Sequence, residues 1–196
     1  MQCQDLLKGI RILDLSRLLP GPATTWYLGA LGAHVDRVES TKGDLTRFIP
    51  PKHENVGAYF AAVSRGKRSM ACNFRHSEFA SLIRSLLHKY DVLVEGFRPG
   101  RLAQMGLSPE DLRNEFPELI IASISGFGQK GELARQVAHD INYLGYSGAL
   151  AAMMGDNEIP LPAFQVADMS AAMNAALGIA AALVGRQRSG TGTWLD

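Results

Sequence analysis

The sequence predicts an α/β domain built on an open, mostly parallel, Rossmann-like doubly wound sheet. Short apolar runs of strand length alternate along the chain with longer segments of helical periodicity. This alternation is typical of parallel sheets, because each crossover between parallel strands needs a helix or a long loop. With 196 residues and 46% hydrophobic content, the chain is long enough for one domain, spanning 1–196, with a substantial core.

The elements of the first half follow from this alternation. Residues 10–15 predict the first strand, and Pro20-Gly21-Pro22 leads into a helix that ends near Leu31. Residues 34–39 predict the second strand and residues 69–74 the third. Between them, residues 40–57 hold two adjacent prolines and two glycines, which indicates an irregular loop. Residues 77–89 predict an amphipathic helix with Ser77 as its cap.

The second half continues the pattern. Residues 92–95 and 119–125 predict two further apolar strands, and Ser108-Pro109-Glu110-Asp111 predicts a helix start with serine as the cap. Residues 169–184 are almost all apolar or small. As a helix they would reach about 24 Å, which is short for a membrane span. Ser170, Asn174 and the preceding Asp168 favour a buried helix of a soluble protein.

Composition argues against several classes of function. The net charge of +1, from 20 basic and 19 acidic residues, gives no electrostatic reason to expect nucleic acid or a membrane as a partner. Cys3 and Cys72 lack the spacing of a metal or redox motif. No signal peptide is recognisable, so both are expected to be free thiols in a reducing, cytoplasmic compartment, with organellar import left open.

The clearest catalytic candidates are His139, with Asp140 beside it, and Asp168. An imidazole titrates near neutrality, and a carboxylate is ionised at pH 7 unless it is buried. The two groups could therefore exchange protons with one carbon atom. Asp140 could orient His139 and stabilise its protonated form. Asp168 also has a structural interpretation, as the cap of the helix that follows it.

Two motifs allow alternative ligands. The segment from Gly126 to Gly131 formally matches G-x-G-x-x-G, but it lies far into the domain and no helix is predicted at its last glycine. A nicotinamide cofactor is therefore not favoured. Arg65-Gly66-Lys67-Arg68 is either a solvated turn or a phosphate site. Arg98 directly follows a strand, which is where open parallel sheets bind ligands.

Several short motifs also occur together in the order and approximate spacing of one family. They are Leu19-Pro20-Gly21-Pro22, Val38-Glu39, Gly43-Asp44, Ser64-Arg65-Gly66-Lys67-Arg68-Ser69, Asp91-Val92-Leu93-Val94-Glu95-Gly96-Phe97-Arg98-Pro99-Gly100, Ser125-Gly126-Phe127-Gly128-Gln129, His139-Asp140-Ile141-Asn142-Tyr143 and Gly190-Thr191-Gly192. Through them the chain resembles the family III coenzyme A transferases of the CaiB/BaiF type, and most of all the α-methylacyl-CoA racemases. Those chains are about twice as long, so the resemblance is to their N-terminal half, without the second, smaller domain.

The resemblance implies an acyl-CoA substrate, with coenzyme A as part of that substrate and no metal or redox cofactor. It implies Arg37, Lys67 and Arg98 as contacts to phosphate or adenine, and it places Gly126 and Gly128 beside the acyl thioester. It also implies a homodimer of interlocked chains. A chain of this length is expected to self-associate through the apolar helix at residues 169–184.

The resemblance leaves three functions open. In a racemase Asp168 moves a proton at the α-carbon, and the His139-Asp140 pair favours this reaction on a 2-methylacyl-CoA. In a transferase Asp168 attacks the thioester and moves CoA between carboxylic acids, and Gly43-Asp44 with Tyr59-Phe60 looks more like that branch. The third possibility, of another class, is a truncated, inactive module that only binds CoA or dimerises.

Overall fold

The computed structural model describes residues 5–153 and 161–196, so Cys3 lies outside the described residues. Its strands are Arg11–Asp14 (β1), His34–Ser40 (β2), Lys52–His53 (β3), Val56–Gly57 (β4), Arg68–Cys72 (β5), Val92–Glu95 (β6), Ile120–Ser123 (β7) and Trp194–Leu195 (β8). Its helices are Pro20–Ala30 (α1), Ala58–Ser64 (α2), Phe79–Leu87 (α3), Arg101–Gln104 (α4), Pro109–Glu115 (α5), Asp140–Tyr146 (α6), Ala149–Ala152 (α7) and Val166–Ser189 (α8).

The central sheet is six-stranded, with the order β5-β2-β1-β6-β7-β8. All of its neighbouring strands pair in parallel, which confirms the predicted open parallel sheet. The chain builds outward from β1 in one direction through β2 and β5. It then returns to the other side of β1 and continues through β6, β7 and β8. The carboxyl ends of β1 and β6 therefore flank the point where the strand order reverses, the usual ligand-binding crevice of such sheets.

Helices cover both faces of this sheet, and the strand residues alternate between them. Ile12 packs on the face covered by α1 and α8, with Leu28 and Ile179. Its neighbour Leu13 packs on the opposite face, with Ile83 of α3. Burial on both faces explains why the central strands read as continuous apolar runs, and it confirms the doubly wound architecture.

The long helix α8 packs through one face only. Small and aliphatic residues lie against α1 and the sheet: Ala172, Ala176, Ile179 and Leu183 are buried. In the part of the chain that the structure describes, α8 is the one helix long and apolar enough to cross a membrane by length and composition. That test is weak evidence by itself. The helix is nevertheless less buried than the sequence predicted, since only 17% of its apolar 18-residue window is buried. The helix begins three residues before the predicted apolar run and extends five beyond it.

Three local predictions were wrong. Residues 40–57 are not wholly irregular, since they form a 3-10 turn at Leu45–Arg47 and the small antiparallel hairpin of β3 and β4. The helix predicted from residue 77 begins at Phe79, and no side chain caps it. Asp168 lies inside the first turn of α8, so it is not the cap. By contrast, the Ser108 cap is confirmed, because its hydroxyl oxygen accepts the Asp111 N–H at 3.1 Å.

Candidate active site

A cavity of about 350 Å³ opens at the reversal point of the sheet, over the carboxyl ends of β1, β6 and β7. Its wall combines three post-strand loops with the start of α8 and the residue that precedes α6. The polar residues and glycines among those that line it are Arg17, Gly21, Gly96, Arg98, Ser125, Gly126, Gln136, His139, Tyr143 and Asp168. The topology thus brings His139 and Asp168, which are remote in sequence, to one cavity together with Arg98 and Gly126.

The two catalytic candidates are held by the starts of two helices. His139 immediately precedes α6, and its backbone N–H donates to the Asn142 side-chain oxygen at 2.9 Å. Asp140 begins α6, and its Oδ1 accepts the backbone N–H of Asp168 at 2.9 Å. Asp140 therefore satisfies one of the free N–H groups of the first turn of α8, the role of a helix cap supplied by another helix.

This contact changes the role expected for Asp140. The sequence suggested that its carboxylate orients the His139 ring. Within the described residues, its hydrogen bond goes instead to the Asp168 backbone. Asp140 therefore links the start of α8 to the start of α6, the two helix ends that carry Asp168 and follow His139.

The proton affinity of Asp168 is raised by its surroundings. Burial raises its pKa above the usual carboxyl value, the negative charge of Asp140 raises it further, and the proximity of His139 opposes both. Burial and a like charge both disfavour the ionised carboxylate. A carboxyl that takes up and releases a proton nearer neutrality is suited to general acid–base work.

Tyr143 joins α6 to the glycine-containing loop after β7. Its hydroxyl donates to the Ala138 carbonyl oxygen at 3.2 Å, and its ring lies edge-on to Phe127, with centroids 5.1 Å apart. A Cβ at Gly126 would overlap the Tyr143 hydroxyl, so only glycine allows this approach. Burial raises the pKa of Tyr143, and the charge of Asp168 adds to the shift.

The Gly126–Gly131 segment does not form a dinucleotide site. No helix opens at Gly131, and the following residues are irregular until α6 begins. Gly128 lies away from the cavity, beside the Asp196 carboxylate, which accepts the neighbouring Gln129 N–H at 2.7 Å. Of the two glycines expected beside a thioester, Gly126 alone lines the cavity.

Arg98 is placed as its sequence position suggests. It is exposed, it lines the cavity, and it forms no ion pair within the described residues. The turn that carries it is fixed by buried Glu95, whose Oε2 accepts the Phe97 N–H at 2.7 Å. Burial raises the pKa of Glu95, although hydrogen bonds from Ser123 and from the Phe97 N–H partly lower it. A free guanidinium on a fixed turn is available to an anionic ligand.

The other two expected phosphate contacts are buried in ion pairs. Arg37 is 1% exposed, and its guanidinium donates to Asp44 and, at 3.0 Å, to the Ser64 hydroxyl. Arg37 reaches the inner wall of a second cavity, but a phosphate contact would need its Asp44 pair to open. The structure thus differs from the expectation, because a paired and buried cation is not free to bind a ligand.

Lys67 is likewise enclosed. Its Nζ donates to the Pro22 carbonyl oxygen at 2.7 Å and to Thr25 Oγ1 at 2.6 Å, and it lies 3.4 Å from Asp14. Burial lowers the pKa of Lys67 to about 8, although the Asp14 charge opposes this shift. Its contacts hold β1 and α1 together beneath the cavity, so the ammonium acts here as a structural cation.

Among the polar residues that line the cavity, the sequence analysis did not identify Arg17, Ser125, Gln136 and Tyr143. Arg17 and Ser125 come just after β1 and β7, so their position at strand ends was an available signal. Tyr143 belongs to the same motif as His139, but nothing in the sequence indicates its contact with Gly126. Ser125 Oγ is buried and has no hydrogen-bond partner within the described residues.

Comparison with known proteins assigns this architecture to a family. The profile of CoA-transferase family III matches residues 7–196. The chain is 38% identical to human alpha-methylacyl-CoA racemase, covering 97% of this chain and 47% of that protein. It is 36% identical to mouse succinyl-CoA:glutarate CoA-transferase, covering 97% of this chain and 44% of that one.

Solved structures agree with this assignment. A CAIB/BAIF family protein from Brucella suis superposes with a TM-score of 0.90 at 36% identity, covering 97% of this chain and 52% of that one. A hypothetical protein from Mycobacterium tuberculosis gives 0.88 at 30% identity, with 96% and 53% coverage. The chain spans about half the length of the curated relatives it matches. The chain belongs to CoA-transferase family III.

Proposed function

We propose that the cavity acts on the acyl group of a CoA thioester, and that its reaction is epimerisation at the α-carbon of a 2-methylacyl-CoA. The observation that carries this proposal is the convergence of His139 and Asp168 on one cavity. Inversion at a carbon needs one group to remove a proton and another to return it to the opposite face. An imidazole and a carboxyl with raised pKa provide such a pair.

The reaction proceeds through two proton transfers. The thioester acidifies the α-hydrogen, and neutral His139 removes it from one enantiomer, so that the electron pair moves to the carbonyl oxygen as an enolate. Protonated Asp168 then delivers its proton to the other face, and the enolate electrons return to the carbon. The opposite enantiomer uses the same groups in the reverse order. Asp140 holds Asp168 in place for this exchange.

Exchange of the α-hydrogen in deuterated water tests this proposal. We expect the protein to incorporate deuterium into 2-methylbutyryl-CoA and to convert either enantiomer into a mixture. Asp168→Asn and His139→Gln should each slow exchange by roughly 10²–10⁴-fold, the usual contribution of a general acid or base. His53→Gln and Asp5→Asn, which alter exposed groups far from the cavity, should leave exchange unchanged.

Transfer of CoA is the second candidate, and the names of relatives favour it as much as the first: similar proteins include a succinyl-CoA:glutarate CoA-transferase. Here the Asp168 carboxylate would attack the thioester carbonyl and expel CoA thiolate, leaving an acyl-aspartyl anhydride. The thiolate would then attack the aspartyl carbonyl and release the first acid. An acceptor carboxylate would reverse these steps and regenerate Asp168.

The same samples separate the two reactions. Movement of CoA from succinyl-CoA to glutarate, without α-exchange of any 2-methylacyl-CoA, would contradict epimerisation and establish transfer. In that case His139→Gln should matter much less than Asp168→Asn, since a nucleophile needs no second base. CoA binding with neither reaction would identify the third class, a CoA-binding or dimerisation module.

A further inference from the structure

Arg17 stands at the boundary of two cavities. The first holds His139 and Asp168. The second, of about 440 Å³, lies over the carboxyl ends of β1 and β2. Its lining combines aliphatic and aromatic side chains, including Phe48 and Phe74, with the charged side chains of Arg37, Glu39, Lys42 and Asp44. The residues common to both linings are Arg17 and Phe97. A ligand that extends from one cavity into the other must pass this pair.

Hydrogen bonds to two buried carboxylates fix the backbone on either side of Arg17. The Ser16 N–H donates to Asp14 Oδ1 at 2.9 Å, and the Leu18 N–H donates to Asp44 Oδ2 at 3.0 Å. A Cβ at Gly21 would overlap the Ser16 side chain, so α1 also approaches this turn closely. Leu18 has φ of 64°, a conformation that a branched residue adopts only where its surroundings impose it.

The carboxylates that hold this turn are themselves held by buried cations. Asp14 is paired with Lys67, and Asp44 is paired with Arg37. Two of the cations that the family resemblance implied for phosphate binding therefore pair with the carboxylates that fix the turn that carries Arg17. Such support is typical of a side chain whose position matters, because backbone strain persists only where neighbouring contacts determine it.

The Arg17 side chain contrasts with this fixed backbone. It is exposed, and within the described residues it has neither a hydrogen bond nor an ion pair. Three other arginines of this half of the sheet each meet a carboxylate: Arg37 meets Asp44, Arg47 meets Glu39, and Arg68 meets Asp36. A guanidinium with no acidic partner, on a rigid turn between two cavities, is available to an anion from outside the chain.

We propose that Arg17 binds an anionic oxygen group of the thioester substrate as that substrate passes between the two cavities. This inference rests on the proposed acyl-CoA function and adds a binding residue to it. Two parts of an acyl-CoA could supply the anion: a phosphate of coenzyme A, or a carboxylate at the free end of the acyl chain. His139 and Asp168 line only the first cavity, so the boundary position of Arg17 favours a phosphate.

Binding measurements on the whole chain distinguish these sources. Calorimetry would compare CoA, butyryl-CoA and succinyl-CoA, and ligand-observed NMR would follow pantetheine, which has no phosphate. We expect Arg17→Ala to weaken CoA and butyryl-CoA binding by roughly tenfold to a hundredfold, as for a lost charge-assisted hydrogen bond, and to leave pantetheine unchanged. Arg17→Lys should recover part of the loss, because lysine keeps the charge without the two-pronged donor.

Arg75→Ala is the matched control, since it removes one exposed positive charge that lines neither cavity. A loss confined to succinyl-CoA would also support an anion site, and would identify the acyl carboxylate as its ligand. If Arg17→Ala binds each ligand as tightly as the unchanged protein does, this inference is overturned, while the proposed function stands. If the unchanged protein binds no CoA at all, the proposed function fails, and this inference fails with it.

Discussion

Asp140 and Asp168 form the contact that joins the starts of α6 and α8 at the cavity. The Asp140 carboxylate accepts the Asp168 N–H, and its negative charge is one reason, after burial, that the pKa of Asp168 is raised. One residue thus does two separable things: it positions the backbone and it tunes a proton affinity. Substitutions that keep one effect and remove the other can separate them.

Asp140→Asn should lower the pKa of Asp168, because asparagine keeps an oxygen that can accept the Asp168 N–H but carries no charge. Carbon-detected NMR titration of the Asp168 carboxyl would measure the shift. Asp140→Ala should also loosen the first turn of α8, seen as faster exchange of the Asp168 amide. An unchanged carboxyl titration in Asp140→Asn would mean that the charge of Asp140 does not contribute to the pKa of Asp168.

At the residue scale, the sequence identified His139 and Asp168 as candidates, and the structure places both at one cavity, whereas Arg37 and Lys67 are paired with buried carboxylates. His139 and Asp168 were identifiable because their residue types carry their chemistry. Arg37 and Lys67 carry the same charge as Arg17, and only distant partners decide their roles. Lys67 meets Asp14, 53 residues earlier in the chain, and that pairing arises from the β1–β2–β5 arrangement rather than from any local pattern.

A network of charged side chains around Glu39 stabilises the segment between β2 and α2. Glu39, at the end of β2, accepts both Arg47 Nε and Nη2 at 2.7 Å and the Ser69 hydroxyl at 2.6 Å. It also accepts the Asp44 N–H at 2.9 Å, and the Arg47 guanidinium lies 3.8 Å from the centre of the Phe60 ring. These contacts turn a stretch that reads as an irregular loop into a defined 3-10 turn and hairpin.

Glu39→Gln should reduce stability in a pH-dependent way. Burial alone would raise the pKa of Glu39, but hydrogen bonds from Arg47, Ser69 and Asp44 outweigh it and lower the pKa from 4.5 to about 2. The unfolded chain therefore takes up a proton first as the pH falls. The stabilisation, about 3 kcal/mol at most, is complete above pH 4.5 and is lost as the pH falls toward 2.

Urea unfolding of the two proteins between pH 7 and pH 2 would show this difference. The gap in unfolding free energy should be widest above pH 4.5 and should close through that window. Glu132→Gln, which changes an exposed carboxylate in a loop, should show no such dependence. A gap that stays constant with pH would contradict an ionic origin for the stabilisation.

At the element scale, the five longer strands were predictable because they are apolar runs bounded by turn residues, and the long helix was predictable from its run of apolar and small residues. Strand β6 was predicted at its observed bounds, since all four of its residues are buried. The small elements between residues 40 and 57 were not predictable, because side-chain pairing with β2 and α2 stabilises them, and they have no periodicity of their own. The start of α3 was missed because Ser77 suits a cap by residue type, whereas the local backbone begins the helix at Phe79.

The molecule as a whole buries its core on both faces of one sheet, yet it leaves an apolar row exposed. On α8, Met173, Leu177 and Val184 are 59%, 68% and 51% exposed, while the opposite face of the helix packs on α1 and the sheet. Phe164, just before the helix, is 60% exposed. The spacing of the three helix residues places them along one side, so together they form a continuous stripe rather than scattered contacts.

This stripe is expected to bring two copies of the chain together. Burying three large apolar side chains against a second copy removes them from water, at a gain of roughly 1.5–3 kcal/mol each. Together they would supply a substantial part of the binding free energy of a micromolar complex, about 8 kcal/mol. Sedimentation velocity should show a concentration-dependent dimer or larger species. Leu177→Glu should shift it toward monomer, while Leu82→Glu, at a 41% exposed position on α3, should not. A monomer at all concentrations that instead sediments with phosphatidylcholine vesicles would contradict self-association and point to a membrane as the partner of α8.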